Sequence, residues 1–294
     1  MNWDFIYRGE SRDIDEAARA GTEGSFIRLP QGFTHFELRG PITAQPVVLV
    51  HGFSVPYFIW DLTVDALLAA GRRVLRYDLF GRGYSDRPHV RYSLQLFIQQ
   101  LDALLDSLGL AQVDLVGLSM GGVIAAGFAV RSPERVRQLV LIDPIGTDPM
   151  PLGPLYKAAL LPGISELVLS MVGTGQMVES LASDFFDPSE VQQFKDRYQT
   201  QMQYRGFKRA IISSLRNKAV SGSPQIYEQL GRLNTPVLLV WGRQDHTLPL
   251  EQSASILRLV PRAQFEIIED SGHIPNCEKP DVFHPILLNF LDSE

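Results

Sequence analysis

The sequence is poor in cysteine. Cys277 is the only one among 294 residues, so no internal disulfide can form, and no Cys/His cluster has zinc-like spacing. A disulfide scaffold and a zinc finger are both excluded. Long apolar runs are missing as well. A membrane-spanning helix needs on the order of 20 mostly apolar residues, and the greasiest stretches, such as Gly121 to Val130, are much shorter. The segment from Met1 to Glu10 places acids where a secretory leader would place basic and then apolar residues, which predicts a cytoplasmic chain without an export signal. No run of Lys or Arg stands out, and 27 basic against 33 acidic residues give a formal charge of −6. Neither nucleic acid nor stable membrane insertion is expected. What remains is ordinary globular composition, 45% hydrophobic and 20% charged. That balance predicts a packed core, and the length allows one large domain with a sizeable insertion.

From Ser25 onward, short apolar runs rich in β-branched residues alternate with longer helical patterns, the signature of an α/β fold. Val47–Val50, Val74–Tyr77, Val113–Leu118, Leu139–Ile142 and Val237–Trp241 are nearly continuous apolar runs, as strands buried on both faces must be. Ser25–Leu29 and Thr34–Leu38, joined by Pro30-Gln31-Gly32-Phe33, read as an antiparallel hairpin, and Gln264–Ile268 as the last strand, for about eight in all. Between Asp143 and about Leu233 this rhythm stops. Pro144, Gly146, Pro149, Pro151, Gly153 and Pro154 forbid a continuous element. Helical patterns follow at Leu155–Leu161, Ser165–Val172 and Gln176–Phe186. A further helix is opened by Asp187-Pro188-Ser189-Glu190, with a capping acid, proline at the first helical position and a glutamate three residues after the cap.

Chemistry concentrates at Gly117-Leu118-Ser119-Met120-Gly121-Gly122, between the strand Val113–Leu118 and a helical run. A serine on so tight a strand-to-helix turn takes an unfavourable backbone conformation, and residues two before and two after it approach too closely for side chains. This is a nucleophile elbow. A serine hydroxyl is a weak nucleophile until a base takes its proton, and that base needs an orienting acid. His273, in a loop after the last strand, is the expected base. Asp245, just past the strand Val237–Trp241, is the expected acid, with Asp143 as the rival. His51 is read as structural, and His35 and His284 as structural or solvent-facing; His246 caps its loop, and His89 has no evident partner. The backbone N–H groups of Phe53 and Met120 are the candidate oxyanion donors.

Together with His51-Gly52-Phe53, Tyr77 to Ser85, Trp241 to Asp245 and Gly272-His273, the elbow resembles the α/β-hydrolase superfamily from about Phe26 to Leu291. The resemblance is to its serine esterase and lipase members with a helical cap, such as monoglyceride lipase. It implies a mostly parallel eight-stranded sheet flanked by helices, a core built from residues 1–143 and 234–294, and a cap at 144–233 over the active site. Asp78, Arg82 and Ser85 would then be structural. Serine at the nucleophile position, not aspartate, points to carboxylic esters and away from dehalogenases and epoxide hydrolases. Met150, Met171, Met177 and Met202, with Tyr156, Leu160, Leu161, Leu167, Phe185, Phe186, Tyr204 and Phe207, suit an apolar acyl pocket, although cap packing alone explains most of them. Short-to-medium acyl esters, monoacylglycerols among them, are the leading substrates, and no metal or organic cofactor is implied. Ser119-Met120-Gly121-Gly122 also occurs in carbon–carbon hydrolases of ring-cleavage products, whose loop after the His-Gly pair is usually Gly-rich, as this one is not. Lactone hydrolysis, perhydrolysis and a non-catalytic small-ligand receptor use the same framework.

Overall fold

A computed structural model describes Tyr7, residues 9–148, Val178 and residues 180–293. The helices expected at Leu155–Leu161 and Ser165–Val172, and the first part of Gln176–Phe186, lie outside the described residues, as do Met150, Met171 and Met177.

Eight strands form one sheet: β1 (Ser25–Leu29), β2 (Gly32–Arg39), β3 (Pro46–Val50), β4 (Arg73–Tyr77), β5 (Val113–Leu118), β6 (Val136–Ile142), β7 (Val237–Gly242) and β8 (Gln264–Ile268). Their order is β1-β2-β4-β3-β5-β6-β7-β8. Only the β1/β2 and β2/β4 pairs are antiparallel. The hairpin is tighter than expected. Leu29 pairs with Gly32, so Pro30-Gln31 alone makes the turn, and Gly32, at φ 153°, supplies a backbone angle that other residues rarely adopt. Strand β6 begins at Val136, ahead of the apolar run, because its polar residues are satisfied. The Arg137 guanidinium donates to both oxygens of Asp114 on β5, and the Gln138 amide donates to the Phe290 and Ser293 carbonyls.

Alternation along β3 sends Val48 and Val50 into one apolar layer and Val47 and Leu49 into the other. The first layer packs under α3 (Leu94–Ser107), α4 (Met120–Arg131), α7 (Pro224–Leu230) and α8 (Ser253–Leu259), the second under α2 (Asp61–Ala69) and α10 (Pro280–Asp292). Helices α1 (Glu16–Ala20), α5 (Gln192–Met202), α6 (Phe207–Arg216) and α9 (Pro275–Glu278) complete the set among the described residues. Between β6 and β7 the described chain is helical, as the broken rhythm predicts, and Asp187 caps the turn leading into α5 by accepting from the Ser189 N–H at 2.9 Å. Helix α7, at the end of this stretch, packs on α4 and α8 of the core layer. No helix among the described residues is long and apolar enough to cross a membrane.

Asp78, beyond the end of β4, is a buried hub. Its carboxylate accepts from His35 Nδ1 at 2.7 Å and from the amides of Tyr57 and Tyr84 at 2.9 Å. Its carbonyl accepts from Ser85 Oγ and Gln100 Nε2. The Arg82 guanidinium donates to the Phe53 carbonyl and to Ser214 Oγ, tying the loop after β3 to α6. These residues are structural, as read from sequence. His35 is fully buried and paired with Asp78, not solvent-facing. Burial pushes the Asp78 carboxyl up, but the His35 imidazole and the amides more than offset this and leave it below the usual range. Burial likewise pushes His35 down, and Asp78 raises it to a net position above 6.5.

The depressed acid contributes stability above its unfolded value near 4 and loses it as pH falls. The raised imidazole contributes below about 6.5 and loses it as pH rises through its folded value. The pair is therefore worth most between about pH 4 and pH 6.5. Asp78→Asn is expected to cost about 3 kcal/mol and to weaken the fall of Tm below about pH 4 and above about pH 6.5, on either side of this window. Parallel Tm profiles for variant and wild type would contradict this pairing.

Candidate active site

The loops that follow β3, β5, β6, β7 and β8 all leave from the carboxyl edge of the sheet, where open α/β sheets place ligands. This brings residues 51–53, 119, 143, 245 and 273 to one end of the molecule.

Ser119 joins β5 to α4 at φ 56° and ψ −120°, a strained conformation for a residue with a side chain. Main-chain bonds hold it there. Its N–H donates to the Ile142 carbonyl at 2.9 Å, and its carbonyl accepts from Gly122 and Ile145. A Cβ on Gly117 would collide with the Gly121 carbonyl, and one on Gly121 with the carbonyls of Val50 and His51. Both glycines are therefore required by close approach. The loop after β3 lies against the serine from the other side: a Cβ built on Gly52 would stand 3.3 Å from the Ser119 Cβ and 3.7 Å from its Oγ. Met120 opens α4, and the first amides of a helix have no partner within it. Its side chain is in the core, so only the Met120 amide can serve the site.

His273 and Asp245 meet directly, Nδ1 to Oδ2 at 2.7 Å. The other Asp245 oxygen accepts the amides of Thr247 and Leu248, both at 2.8 Å, which fixes the carboxylate in its loop. The His273 N–H donates to the Asp184 carbonyl at 2.7 Å. Burial pushes the His273 imidazole down, but the Asp245 charge and hydrogen bond, with Asp184 and Glu278 behind them, raise it above 6.5. Glu278 braces the same loop, accepting from Ser271 Oγ and from the Gly272 amide.

Ser119 and His273 line one cavity, which holds roughly 620 Å³ of empty space including its open mouth. Gly52, Phe53, Ser54, Val55 and Ile59 line it, with Leu118, Thr247 and Ile274, and with Leu181, Asp184, Phe185 and Phe194 from the inserted helical stretch. Phe185, among the apolar side chains the sequence offered for a pocket, is in the lining. Met202, Tyr204 and Phe207 do not line this cavity: Met202 is in the core, Tyr204 packs on Tyr84 and Phe207 on Tyr198. Phe186 is half exposed.

Asp184 carried no sequence signal and is the main surprise of the lining. Its Oδ1 accepts from Thr247 Oγ1 at 2.6 Å. Burial raises its carboxyl above the usual range, against the pull of His273.

The remaining histidines are elsewhere. His51 donates from Nδ1 to the Gly52 carbonyl and accepts at Nε2 from the Leu79 amide, both at 2.9 Å, so it ties two loops together. Burial pushes its pKa down to about 4, which keeps it neutral. His246 and His89 are exposed, and His284 lies on α10 with Nε2 3.4 Å from Thr63 Oγ1. The Cys277 thiol is buried and donates to the Ile59 carbonyl at 3.1 Å.

Asp143, Asp245 and His273 present ligand-type atoms within 4.8 Å of one another. They do not fit a cation. The Asp245–His273 contact is a direct hydrogen bond with no space between its atoms, and the second Asp245 oxygen is taken by two amides. The arrangement suits proton transfer to and from a group in the cavity.

Comparison with known proteins agrees with this geometry. The chain is 29% identical to a 2-hydroxy-6-oxo-2,4-heptadienoate hydrolase of Pseudomonas putida, over 85% of this chain and 90% of that protein. It is 30% identical to a 2-hydroxymuconate semialdehyde hydrolase of Pseudomonas sp. strain CF600, over 84% and 86%. The solved structure of a meta-cleavage product hydrolase from Pseudomonas fluorescens IP01 superposes with a TM-score of 0.74 at 27% identity, covering 92% of this chain and 97% of that one. Residues 45–280 match the alpha/beta hydrolase fold, and the chain belongs to that family as a hydrolytic enzyme.

Proposed function

We propose that the chain hydrolyses a bond to a carbonyl carbon through a covalent acyl-enzyme on Ser119. The observation that carries this is the Asp245–His273 hydrogen bond with its imidazole on the same cavity as Ser119. In this reading His273 takes the Ser119 proton as Oγ attacks the carbonyl, and Asp245 stabilises the imidazolium through Nδ1. The amides of Phe53 and Met120 hold the oxyanion; losing one such donor typically lowers the rate about 10²- to 10³-fold. His273 then protonates the leaving group, and water, deprotonated by the same imidazole, releases the acid. Residues 144–233 act as the cap.

On the bond broken, the relatives favour carbon–carbon hydrolysis over the ester cleavage expected from sequence. A 2-hydroxy-6-oxo-dienoate has no ester, so its hydrolysis splits a carbon–carbon bond beside the ketone. A specific observation supports the ester as a second reading. The cavity is mostly apolar and carries the Asp184 carboxyl, an environment more suited to an uncharged acyl chain than to a dienoate carboxylate.

Parallel assays of the wild type on a 2-hydroxy-6-oxo-dienoate and on p-nitrophenyl esters of increasing chain length decide between them. A tenfold or larger advantage in kcat/KM for one class selects it, and turnover of neither class rejects the proposal. The pH profile is a further expected result. Because His273 must be neutral to act and is held above 6.5, the acid limb of kcat/KM should fall above about pH 6.5. Asp184→Asn removes a neighbouring negative charge and should move that limb to lower pH. A limb below pH 5, or one that Asp184→Asn shifts upward, contradicts the assignment of the base.

A further inference from the structure

The sheet delivers two acids to His273, and only one of them has a role in the reaction above. Asp143 directly follows β6 at φ 40°, a left-handed conformation unusual for a residue with a side chain. It is fully buried. Its amide donates to the Val240 carbonyl at 3.0 Å, and its Oδ1 accepts from the Gly242 amide at 2.9 Å. Its Oδ2 is buried and meets no donor among the described residues. What that side of the carboxyl approaches is another acceptor, the carboxylate of Asp245, whose own oxygens already take His273 Nδ1 and two amides. Two buried carboxylates at this separation repel unless a proton lies between them.

We propose that Asp143 holds a proton on Oδ2 and donates it to Asp245, so that the two acids carry a single negative charge and Asp143 is a positioning residue for the acid that orients His273. The strained backbone at Asp143 then has a purpose, since it turns the carboxyl towards β7 and the loop that carries Asp245. The groups facing the pair are His273, from the loop after β8, Glu278, on α9, and Asp184, whose charge bears on Asp245 and His273. Burial and then the Asp245 charge hold the Asp143 carboxyl well above its ordinary range, in the same direction.

The kinetic consequences rest on the Ser119–His273–Asp245 reading; the protonation state does not. Asn at position 143 can keep both bonds, accepting from Gly242 through Oδ1 and donating to Asp245 through Nδ2, whereas leucine keeps neither. Asp143→Leu should lower kcat/KM about 10- to 100-fold, the usual loss for a hydrogen bond to a charged group. Asp143→Asn should recover most of that loss and leave the acid limb of the pH profile in place. A limb displaced downward by about one pH unit in Asp143→Asn would mean that a charge had been removed, and would overturn the proposal.

Infrared difference spectroscopy of the wild type against Asp143→Asn tests the proton directly and needs neither turnover nor a folded leucine variant. At pH 7 the wild type should show the C=O stretch of a protonated carboxylic acid that the variant lacks. A difference spectrum showing only loss of an ionised carboxylate would refute the shared proton even if Ser119 proves to be the nucleophile. A protonated band with an inactive enzyme would refute the catalytic reading alone.

Discussion

Ser119→Ala is expected to lower kcat/KM on the order of 10⁶-fold, the scale seen when the nucleophile of a comparable serine, histidine and aspartate set is removed. Stability should be nearly unchanged. Alanine has the same Cβ as serine and so introduces no new strain at φ 56°, and the bonds that hold residue 119 at the turn are main-chain bonds to Ile142, Gly122 and Ile145. A folded but inactive variant is therefore the expected product. Steady-state rates with the preferred substrate, beside a thermal melt, are the measurement. Turnover within tenfold of the wild type would remove Ser119 from the mechanism, and an inactive variant that also melted far below the wild type would leave the loss attributable to folding.

The second large effect is on the fold. Gly121→Ala is expected to cost 4 kcal/mol or more, on the scale of the most damaging single substitutions. The added Cβ has no flexible side chain to displace. It meets the carbonyls of Val50 and His51, at the end of β3. Strands β3 and β5 are hydrogen-bonded neighbours, with Val50 opposite Gly117, so the clash is relieved only by parting them where the site is built. Urea unfolding measures the loss. A midpoint within experimental error of the wild type would show that α4 can shift away from β3 without penalty, and the requirement for glycine at the elbow would have to be abandoned. Gly117→Ala should behave similarly, because its Cβ meets the Gly121 carbonyl.

These two positions also show what kind of information the sequence carried. The elbow was legible because its chemistry is local. Strand, serine and two small residues lie within a few positions of one another, and the backbone geometry of the turn dictates each. The buried parallel strands were legible for a similar reason, since burial on both faces leaves continuous apolar runs such as Val113–Leu118. Arg137 and Gln138 hid the start of β6 because polar residues in a strand make sense only once Asp114 and the C-terminal carbonyls of α10 are seen to satisfy them.

The proposed partners of Ser119 were legible by type and position in the chain, as a histidine after the last strand and an acid after the one before it. Their meeting was not, because it depends on loops leaving five strands at one edge. The burial of His35 was equally out of reach, since its partner Asp78 is 43 positions away. Asp184 gave no signal at all: it falls inside the helical pattern Gln176–Phe186, and it joins the site only once Thr247 and His273 lie against it. Asp143 was visible in sequence as a rival to Asp245. Only the fold places both beside one imidazole and leaves one of their oxygens without a donor among the described residues.

By itself, then, the amino-acid order determined the α/β class, the strand-to-helix turn that carries Ser119 and the histidine and acids available near it, because short-range sterics and burial periodicity are written into neighbouring residues. Tertiary structure alone decided which histidine and which acid face each other, what lines the cavity and how close the two acids lie. Those depend on contacts between segments far apart in the chain, where desolvation and hydrogen bonding are set by what the fold happens to bring alongside.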